Sequence, residues 1–185
     1  MKIAFSEDQI RKRVHEMSAD VSRDYGQEVV HLVGILDDSF IFLADLARKL
    51  TCPVVFHFTK METRDGILGV QPVRSIVYGP ITNVKDKHLL LVDAMVDSGI
   101  TLDHLVQQLL LKKPKSIRTA SLVDREDRRR VPFHVDYSGF SWNGGHLVGY
   151  GMDQGGLYRN LPYVAEVGTS NNGPGDAHKG GSVRQ

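Results

Sequence analysis

The segment LLLVDAMVDSGITL, residues 89–102, combines acids, a small-residue turn and the start of a helix. Its apolar run ends at Asp93, which places a carboxylate at the carboxyl end of a predicted buried strand. Ser98 and Gly99 let the backbone approach an anion, and the Thr101 hydroxyl can donate a hydrogen bond to it. Because the amino end of a helix also favours negative charge, the pattern indicates a phosphate-binding loop. An ordinary β–α turn would have the same composition.

Other acids follow or end predicted strands. Asp37 and Asp38 come after the first of these strands, Asp124 ends a later one, and Asp153 follows the sequence GYGM. In open parallel sheets, ligands bind outside the carboxyl ends of the strands, so these carboxylates are expected near one edge. Such a set suits a phosphate ligand bound with Mg²⁺, which prefers oxygen ligands. The alternative is a solvated loop edge, since most surface acids have no chemical role.

The elements that would position these residues alternate between apolar runs and helical patterns. Ser6 and Gln9 could form a capping box, and apolar residues recur at helical spacing after it. Helices are predicted at about residues 6–24, 39–50 and 101–111, and strands at 29–36, 53–58, 74–78, 88–95, 116–123, 135–140 and 147–150, the last completing a small lobe. This order predicts an α/β fold with a mostly parallel sheet flanked by helices.

Two segments do not fit this alternation. Residues 59–72 are polar and contain glycine, and a connection of this length is often a functional lid; the alternative is a disordered connector. Residues 169–185 are rich in Gly, Asn and Ser without apolar periodicity, so a disordered tail is expected. The sequence therefore predicts one domain over residues 1–168.

Composition narrows the class of partner. The 185 residues carry a net charge of +1, which gives no broad electrostatic reason to expect nucleic-acid or membrane binding. Cys52 is the single cysteine, and the N-terminal residues lack the apolar region of a signal peptide. No apolar run approaches the ~20 residues of a spanning helix. A small-molecule partner and a reducing, cytoplasmic setting are the expectation.

Four sequence blocks resemble a known family. LLLVDAMVDSGITL resembles the phosphoribosyl pyrophosphate signature of type I phosphoribosyltransferases. VVHLVGILDDSFIFLADLARKL, SLVDREDRRRVPFHVDYSGF and HLVGYGMDQGGLYRNLPYV are similar, in the same order, to three further blocks of the hypoxanthine-guanine branch. The resemblance covers residues from about 5 to 168. It implies the type I phosphoribosyltransferase fold, with a small hood-like lobe beside the parallel sheet.

The resemblance implies roles for the phosphate loop. Its amides would hold the 5-phosphate of phosphoribosyl pyrophosphate; they belong to Asp97, Ser98, Gly99, Ile100 and Thr101. Asp97 would also act as general base beside purine N7. The alternative for Asp97 is an acid stabilised by the helix dipole. Asp93 would bind the ribose hydroxyls and Mg²⁺.

Further positions are implied at the base and the pyrophosphate. Arg125 stands where the family usually has a lysine that donates to the 6-oxo group, or it is an ordinary surface arginine. His146 would stack on the base, or it is a half-exposed histidine at a strand start, and Leu147 would offer backbone groups. Arg159 would contact pyrophosphate, or form a salt bridge to a nearby acid. Asp153 would help hold Mg²⁺.

The sequence also departs from the family pattern. Ala94 replaces the second acid of the purine signature, and Asp37 and Asp38 stand where Lys-Gly is usual, beside the expected pyrophosphate. Each carboxylate would repel an anion by about 1 kcal/mol per unit charge at 4 Å in bulk water, although Mg²⁺ could reverse the sign. Glu62 and Thr63 replace a Ser-Tyr pair in the mobile loop, which affects the expected closure.

Three functions follow as hypotheses. The first is Mg²⁺-dependent transfer of a phosphoribosyl group from 5-phosphoribosyl 1-pyrophosphate to N9 of a 6-oxopurine, which yields pyrophosphate and a nucleoside monophosphate in purine salvage. The second, favoured by the departures above, is a catalytically weakened regulatory protein that binds a nucleotide or phosphoribosyl pyrophosphate. The third is a nucleic-acid or protein module that reuses the fold; its basic run at Arg125 and 128–130 more often forms a solvated face. Resemblance alone suggests a homodimer or homotetramer.

Overall fold

The computed structural model describes residues 1–64, 73–79 and 81–168, with the backbone alone for 61–64 and 73–78. The predicted tail, 169–185, and the second part of the predicted lid, 65–72, lie outside the described residues. The helices are α1 (Glu7–Tyr25), α2 (Phe40–Ala47) and α3 (Ile100–Leu110), with a 3₁₀ turn at Glu126–Arg128. The strands are β1 (Lys2–Phe5), β2 (Val30–Leu36), β3 (Val54–Arg64), β4 (Val73–Tyr78), β5 (His88–Val96), β6 (Ser116–Asp124), β7 (Tyr137–Ser141), β8 (His146–Val148) and β9 (Val164–Val167).

The main sheet has the strand order β4-β3-β2-β5-β6-β7. Its pairs are parallel except for β3 and β4, so the predicted mostly parallel sheet is confirmed. Strands β3 and β4 follow on the outer side of β2, and β6 and β7 follow on the outer side of β5. The strands β2 and β5 are therefore neighbours at the centre of the sheet. A crevice forms at the carboxyl ends of strands where the winding direction changes, which places a site after β2 and β5.

Helices cover both faces of this sheet. On one face, α1 and α2 pack on a core that includes Leu32 and Leu90. On the other face, α3 packs through Leu105 on Val33 and Leu91. Because β2 and β5 are buried on both faces, their sequences are nearly continuous apolar runs instead of alternating ones.

The predicted start of α1 is confirmed. Ser6 Oγ accepts a hydrogen bond from the Gln9 amide, and Gln9 Oε1 accepts one from the Ser6 amide at 2.8 Å, so the capping box is complete. The side chains at the helical spacing read from the sequence are buried; they are Ile10, Val14, Met17 and Val21.

The small lobe contains strands that the sequence did not predict. β1 and β9 are antiparallel neighbours, and β8 completes this separate sheet in the order β1-β9-β8. The strand predicted to reach Tyr150 ends earlier, because Gly149 has φ +98° and a Cβ there would lie 2.1 Å from the Tyr163 carbonyl oxygen. Phe5 stacks on Phe140 at 4.2 Å between ring centroids, which joins the lobe to the main sheet.

Other predicted boundaries are also corrected. β3 continues to Arg64 and pairs with β4 as an antiparallel ribbon, so residues 59–64 are strand and the prediction of a loop there is wrong. β7 begins after Asp136, whose carboxylate accepts hydrogen bonds from the Thr119 amide and hydroxyl. The helix predicted over 39–50 ends at Ala47.

Across the part of the chain that the structure describes, no helix is both long and apolar enough to cross a membrane.

Candidate active site

A cleft of about 230 Å³ opens at the carboxyl ends of β2 and β5. Six of the predicted site residues line it: Asp38, Asp93, Asp97, Ser98, Gly99 and Thr101. The remaining walls are mainly apolar, from the ends of the two strands and from Leu102 of α3. The change of winding direction between β2 and β5 therefore brings the predicted phosphate loop together with Asp38, which lies in the loop after β2.

Gly99 shapes the phosphate loop and precedes α3. It has φ +76°, a left-handed conformation that glycine adopts without strain. A Cβ there would lie 2.9 Å from Arg129 Cδ and 3.1 Å from Phe133 Cβ, so there is also no space for a larger residue. No side chain caps α3 at Gly99, which leaves the first amides of the helix available to an anion. The amide of Ile100, which begins α3, donates a long hydrogen bond to Ser98 Oγ at 3.4 Å, which an anion would have to replace.

Asp97 lies beside a buried cation. Its side chain is 45% exposed, while its Oδ1 atom is buried and lies 3.2 Å from Nε of Arg125. The alignment of the two atoms does not satisfy a hydrogen bond, so the contact is an ion pair. The exposed part of the carboxylate faces the cleft, where it can accept a proton.

Arg125 is not a surface arginine, so that alternative is wrong. The residue is 1% exposed because it follows β6 and lies under the loop before β8. Its guanidinium donates hydrogen bonds to the carbonyl oxygens of Gly144 and Gly145. These bonds fix the planar group between the lobe and the phosphate loop, where the family resemblance places contact with the base.

Asp93 and Ala94 point to opposite faces of β5, as neighbours on a strand must. Asp93 faces the cleft, whereas Ala94 is fully buried in the core below α1 and α2. Burial and the nearby charge of Asp38 raise the pKa of Asp93 to about 7. At neutral pH this carboxyl is therefore poised between its protonated and ionised forms, and a cation in the cleft would favour the ionised form.

The acids expected to repel pyrophosphate are paired with cations. Asp37 accepts a hydrogen bond from Lys60 at 2.8 Å, which lowers its pKa below the ordinary value. Asp38 forms a salt bridge with Arg159, whose Nη2 also lies 2.9 Å from Asp153 Oδ1. The salt-bridge alternative for Arg159 is thus the observed arrangement, and its predicted contact with pyrophosphate remains a prediction.

The loop of the lobe packs closely on the loop after β2. Gly151 has φ +100°, and a Cβ there would lie 2.1 Å from the Asp38 carbonyl oxygen. Arg159 donates to the Gly151 carbonyl oxygen at 2.6 Å. The peptide bond between Leu36 and Asp37 is cis. These contacts hold the segment that contains Asp153 beside the cleft.

His146 and Leu147 lie at the start of β8. His146 is exposed, and its Nε2 lies 3.0 Å from the Asp153 carbonyl oxygen. Leu147 is fully buried, with its side chain in the core of the α1 face. The buried side chain of Leu147 is thus unavailable to a base. Contact of its backbone with the base and stacking by His146 both stay predictions.

The carboxylates of the cleft fit Mg²⁺ in part. Asp38 and Asp93 present oxygen atoms in the same cleft, and a divalent cation there would offset both the burial and the Asp38 charge that raise the pKa of Asp93. Asp153 is already engaged, since one carboxylate oxygen contacts Arg159 and the other accepts from the Gly156 amide. Within the described residues, no group of three or more potential ligands could hold a metal, so substrate oxygens would have to complete the shell.

Two of the four arginines at 125–130 are turned inward. Arg128 and Arg130 are exposed, whereas Arg125 is buried and the Arg129 side chain is 12% exposed. Sequence reasoning treated the run as one face and missed Arg129, which contacts the phosphate loop. Its place four residues after Arg125 gives no usable signal, because the intervening 3₁₀ turn has three residues per turn and brings residues three apart onto one side.

A larger cavity of about 360 Å³ lies between α1, α2 and the lobe. Its lining mixes basic residues such as Arg11 and Arg48 with Asp45, Tyr150 and apolar side chains. None of the predicted site residues lines it. The smaller cleft is therefore the candidate active site, because it contains the predicted acids and the phosphate loop, whereas the cavity of 360 Å³ contains neither.

Comparison with known proteins identifies the family of this chain. The phosphoribosyl transferase domain family matches residues 6–154. The hypoxanthine-guanine phosphoribosyltransferase of Aquifex aeolicus is 35% identical over 168 residues, which cover 90% of this chain and 94% of that protein. A crystal structure of a hypoxanthine-guanine phosphoribosyltransferase from Bacillus anthracis is 31% identical, with a TM-score of 0.79 and coverage of 90% of this chain and 98% of that one.

A ternary substrates complex of a mutant hypoxanthine phosphoribosyltransferase from Trypanosoma cruzi is 28% identical. It aligns with a TM-score of 0.84 over 91% of this chain and 96% of that one. The family match covers well over half of the sequence, and it contains the cleft, the phosphate loop and Arg125. The chain belongs to the phosphoribosyl transferase family.

Proposed function

We propose that this protein transfers a phosphoribosyl group from 5-phosphoribosyl 1-pyrophosphate to N9 of a 6-oxopurine, with release of pyrophosphate. The observation that supports this most directly is the ion pair between Asp97, at the start of the phosphate loop, and Arg125, beneath the lobe. This pair supports a role for Asp97 as proton acceptor between the loop amides and the expected position of the base. The products are pyrophosphate and a nucleoside monophosphate, as purine salvage requires.

The groups of the cleft divide the reaction between them. The amides from Asp97 to Thr101 bind the 5-phosphate, and Asp93 accepts from the ribose hydroxyls. A bond forms between purine N9 and ribose C1, and the bond from C1 to the pyrophosphate oxygen breaks, with the electron pair leaving on pyrophosphate. Asp97 accepts the N7 proton as N9 attacks, while Arg125 donates toward the 6-oxo group.

The lobe completes the base and pyrophosphate sites. His146 stacks on the purine, and the backbone of Leu147 bonds to its edge. Arg159 contacts pyrophosphate, which requires it to exchange its present partners, Asp38 and Asp153, for the ligand. This exchange gives the lobe a way to sense that pyrophosphate is bound.

Mg²⁺ is part of the proposal because phosphoribosyl pyrophosphate carries closely spaced oxygens that the cation prefers. Asp93 would hold it, and Asp38 lies in the same cleft. Asp153 would join only after it releases Arg159. When bound, the cation neutralises the charge that develops on the leaving pyrophosphate.

The resemblance to the family also supports a homodimer or homotetramer and a cytoplasmic location. A second function, binding of phosphoribosyl pyrophosphate or a nucleotide for regulation with little turnover, is favoured by one observation. Arg159, the cation expected at pyrophosphate, is engaged by Asp38 and Asp153. If this arrangement persisted with the ligand bound, the leaving group would lack its cation.

Pyrophosphate release from phosphoribosyl pyrophosphate with Mg²⁺ tests the proposal, with hypoxanthine, guanine, xanthine, adenine and uracil offered in turn. Turnover with one or more 6-oxopurines, and none with uracil, is the expected result. Calorimetric binding of phosphoribosyl pyrophosphate is measured on the same samples. Binding without turnover across the panel would select the regulatory function, and absence of both would overturn the two proposals together.

A further inference from the structure

Three consecutive carbonyl groups, at the end of β5 and in the phosphate loop, are hydrogen bonded to the segment 125–130. The Val96 oxygen accepts from the Arg125 amide at 3.0 Å, and the Ser98 oxygen accepts from the Arg130 amide at 3.0 Å. Between them, the Asp97 oxygen accepts from Arg129 Nη1 at 2.9 Å, and the same nitrogen lies 3.5 Å from the Val96 oxygen. The segment therefore supports the loop along its whole first turn.

These bonds decide where the loop amides point. In a trans peptide the C=O and N–H groups point in opposite directions, and the peptides after Val96, Asp97 and Ser98 are all trans. Their carbonyls face the segment 125–130, so the amides of Asp97, Ser98 and Gly99 face the other way. That direction is the cleft, which the same three residues line.

The side chain of Arg129 is itself fixed. Its Nη2 donates to the carboxylate of Asp124, and the two side chains are 12% and 4% exposed. Asp124 is the last residue of β6, where its neighbour in the sheet is Ser141 of β7. Arg129 thus connects the phosphate loop to the end of β6, and its bond to Asp124 is a buried, charge-assisted hydrogen bond.

Packing adds to this connection. The position of a Cβ at Gly99 lies 2.9 Å from Arg129 Cδ, 3.1 Å from Phe133 Cβ and 3.3 Å from Val131 Cγ2. The arginine stem and its neighbours therefore pack directly against Gly99. A shorter side chain at this position would leave the loop free to move away from the cleft.

We propose that Arg129, held by Asp124, is a positioning residue that orients both the phosphate-binding amides and the carboxylate of Asp97. The inference rests on the proposed function, since it assigns a supporting role within that site. Arg129 touches no substrate in this scheme. It acts through the backbone of the loop that contains the general base.

The test compares Arg129→Met, Arg129→Lys and Asp124→Asn with Arg128→Met, a matched control at the exposed arginine beside it. For each variant, KM for phosphoribosyl pyrophosphate, kcat and the melting temperature are measured. We expect the first three to raise KM by about 10- to 100-fold and to lower kcat as well, because misplacement by about 1 Å costs up to about 100-fold. Arg128→Met should match the parent protein in all three quantities.

Arg129→Lys separates positioning from charge. Lysine keeps the positive charge but cannot bond two backbone carbonyls and Asp124 in one plane. Compared with Arg129→Met, Arg129→Lys should therefore bring the melting temperature closer to that of the parent than it brings KM. If Arg129→Met does not fold, Arg129→Lys and Asp124→Asn still decide the question. If Arg129→Lys and Asp124→Asn both fold and both have the KM and kcat of the parent, the inference is overturned.

Hydrogen exchange of the Arg125 and Arg130 amides, which donate to the Val96 and Ser98 carbonyl oxygens, gives a readout that needs no turnover. We expect faster exchange at these amides in Arg129→Lys and Asp124→Asn, with no change in Arg128→Met. A parent protein that neither binds phosphoribosyl pyrophosphate nor turns it over would refute the proposed function, while faster exchange in the variants would still support the role of Arg129. Unchanged exchange and unchanged affinity together would refute that role alone.

Discussion

Oδ1 of Asp97 lies 3.2 Å from Nε of Arg125, so the acid that begins the phosphate loop is paired with a buried cation at the end of the next strand. The pair joins two elements that are distant in sequence, and the guanidinium also holds the loop before β8. A carboxylate fixed in this way meets its substrate in one orientation. Positioning of this kind is what allows a general base to act efficiently.

Asp97→Asn should lower kcat by about 10²- to 10⁴-fold, the usual contribution of a positioned general base. The amide is similar in size and leaves the loop backbone intact, so KM for phosphoribosyl pyrophosphate should change little, whereas the melting temperature should fall because buried Arg125 loses its anion. Steady-state kinetics and thermal unfolding check both parts. Asp127→Asn, at an exposed acid in the neighbouring turn, is the matched control; equal kcat in the two variants would remove Asp97 from catalysis.

Arg125→Met should destabilise the protein and reduce activity together. The change leaves the carbonyls of Gly144 and Gly145 without their donor and a buried oxygen of Asp97 without its cation. Each unsatisfied buried group costs about 1–3 kcal/mol. Urea unfolding should therefore show a loss of several kcal/mol, whereas exposed Arg128→Met should stay within about 0.5 kcal/mol of the parent. A small loss in both variants would contradict the buried role of Arg125.

The strand–turn–helix pattern placed Asp93, Asp97 and Gly99 correctly because these residues are neighbours in sequence and their geometry is local. β1 and β9 were missed, since each has only four residues and they pair across almost the whole chain. The polar sequence of residues 59–64 also concealed a strand, because β3 and β4 form a ribbon at the sheet edge. Local patterns cannot reveal pairings that depend on the rest of the fold.

The ion pairs of the site show the same limit. Arg159 is 121 residues from Asp38, and the sequence motif favoured pyrophosphate over a nearby acid as its partner. Likewise, nothing in the run at 125–130 distinguishes the inward Arg129 from its exposed neighbours except the 3₁₀ turn that follows β6. Candidate residues of the site could be recognised from the sequence, but their contact partners could be identified only from the fold.

Asp93 should make the stability of the protein depend on pH in an unusual direction. Its pKa is raised from 3.8 to about 7 in the folded protein, so between pH 4 and 7 the folded state binds more protons than the unfolded state. Stability therefore falls as pH rises through this range, by up to about 4 kcal/mol, because each tenfold change in proton affinity corresponds to ~1.4 kcal/mol. Well above pH 7, the free-energy cost of holding Asp93 ionised in the folded protein no longer changes with pH.

Asp93→Asn should remove this contribution. The variant should be more stable than the parent at pH 8, and the difference should shrink toward pH 4. Urea unfolding of both proteins across pH 4–8 measures it, with Asp127→Asn as the control for general titration. A constant difference between parent and Asp93→Asn across the range would show that Asp93 is ionised throughout.

Asp38→Asn should strengthen pyrophosphate binding. The change removes one anion from the cleft and one of the two acids that engage Arg159. The guanidinium therefore has one salt bridge fewer to break when pyrophosphate binds. A gain of about 1 kcal/mol, or roughly fivefold in affinity, corresponds to one removed repulsion at 4 Å in water. Calorimetry with pyrophosphate and Mg²⁺ measures it. Asp37→Asn is the matched control because Asp37 pairs with Lys60 and leaves the salt bridges of Arg159 intact. Weaker binding in Asp38→Asn than in Asp37→Asn would instead make Asp38 a ligand of the cation, which needs that carboxylate to bridge to pyrophosphate.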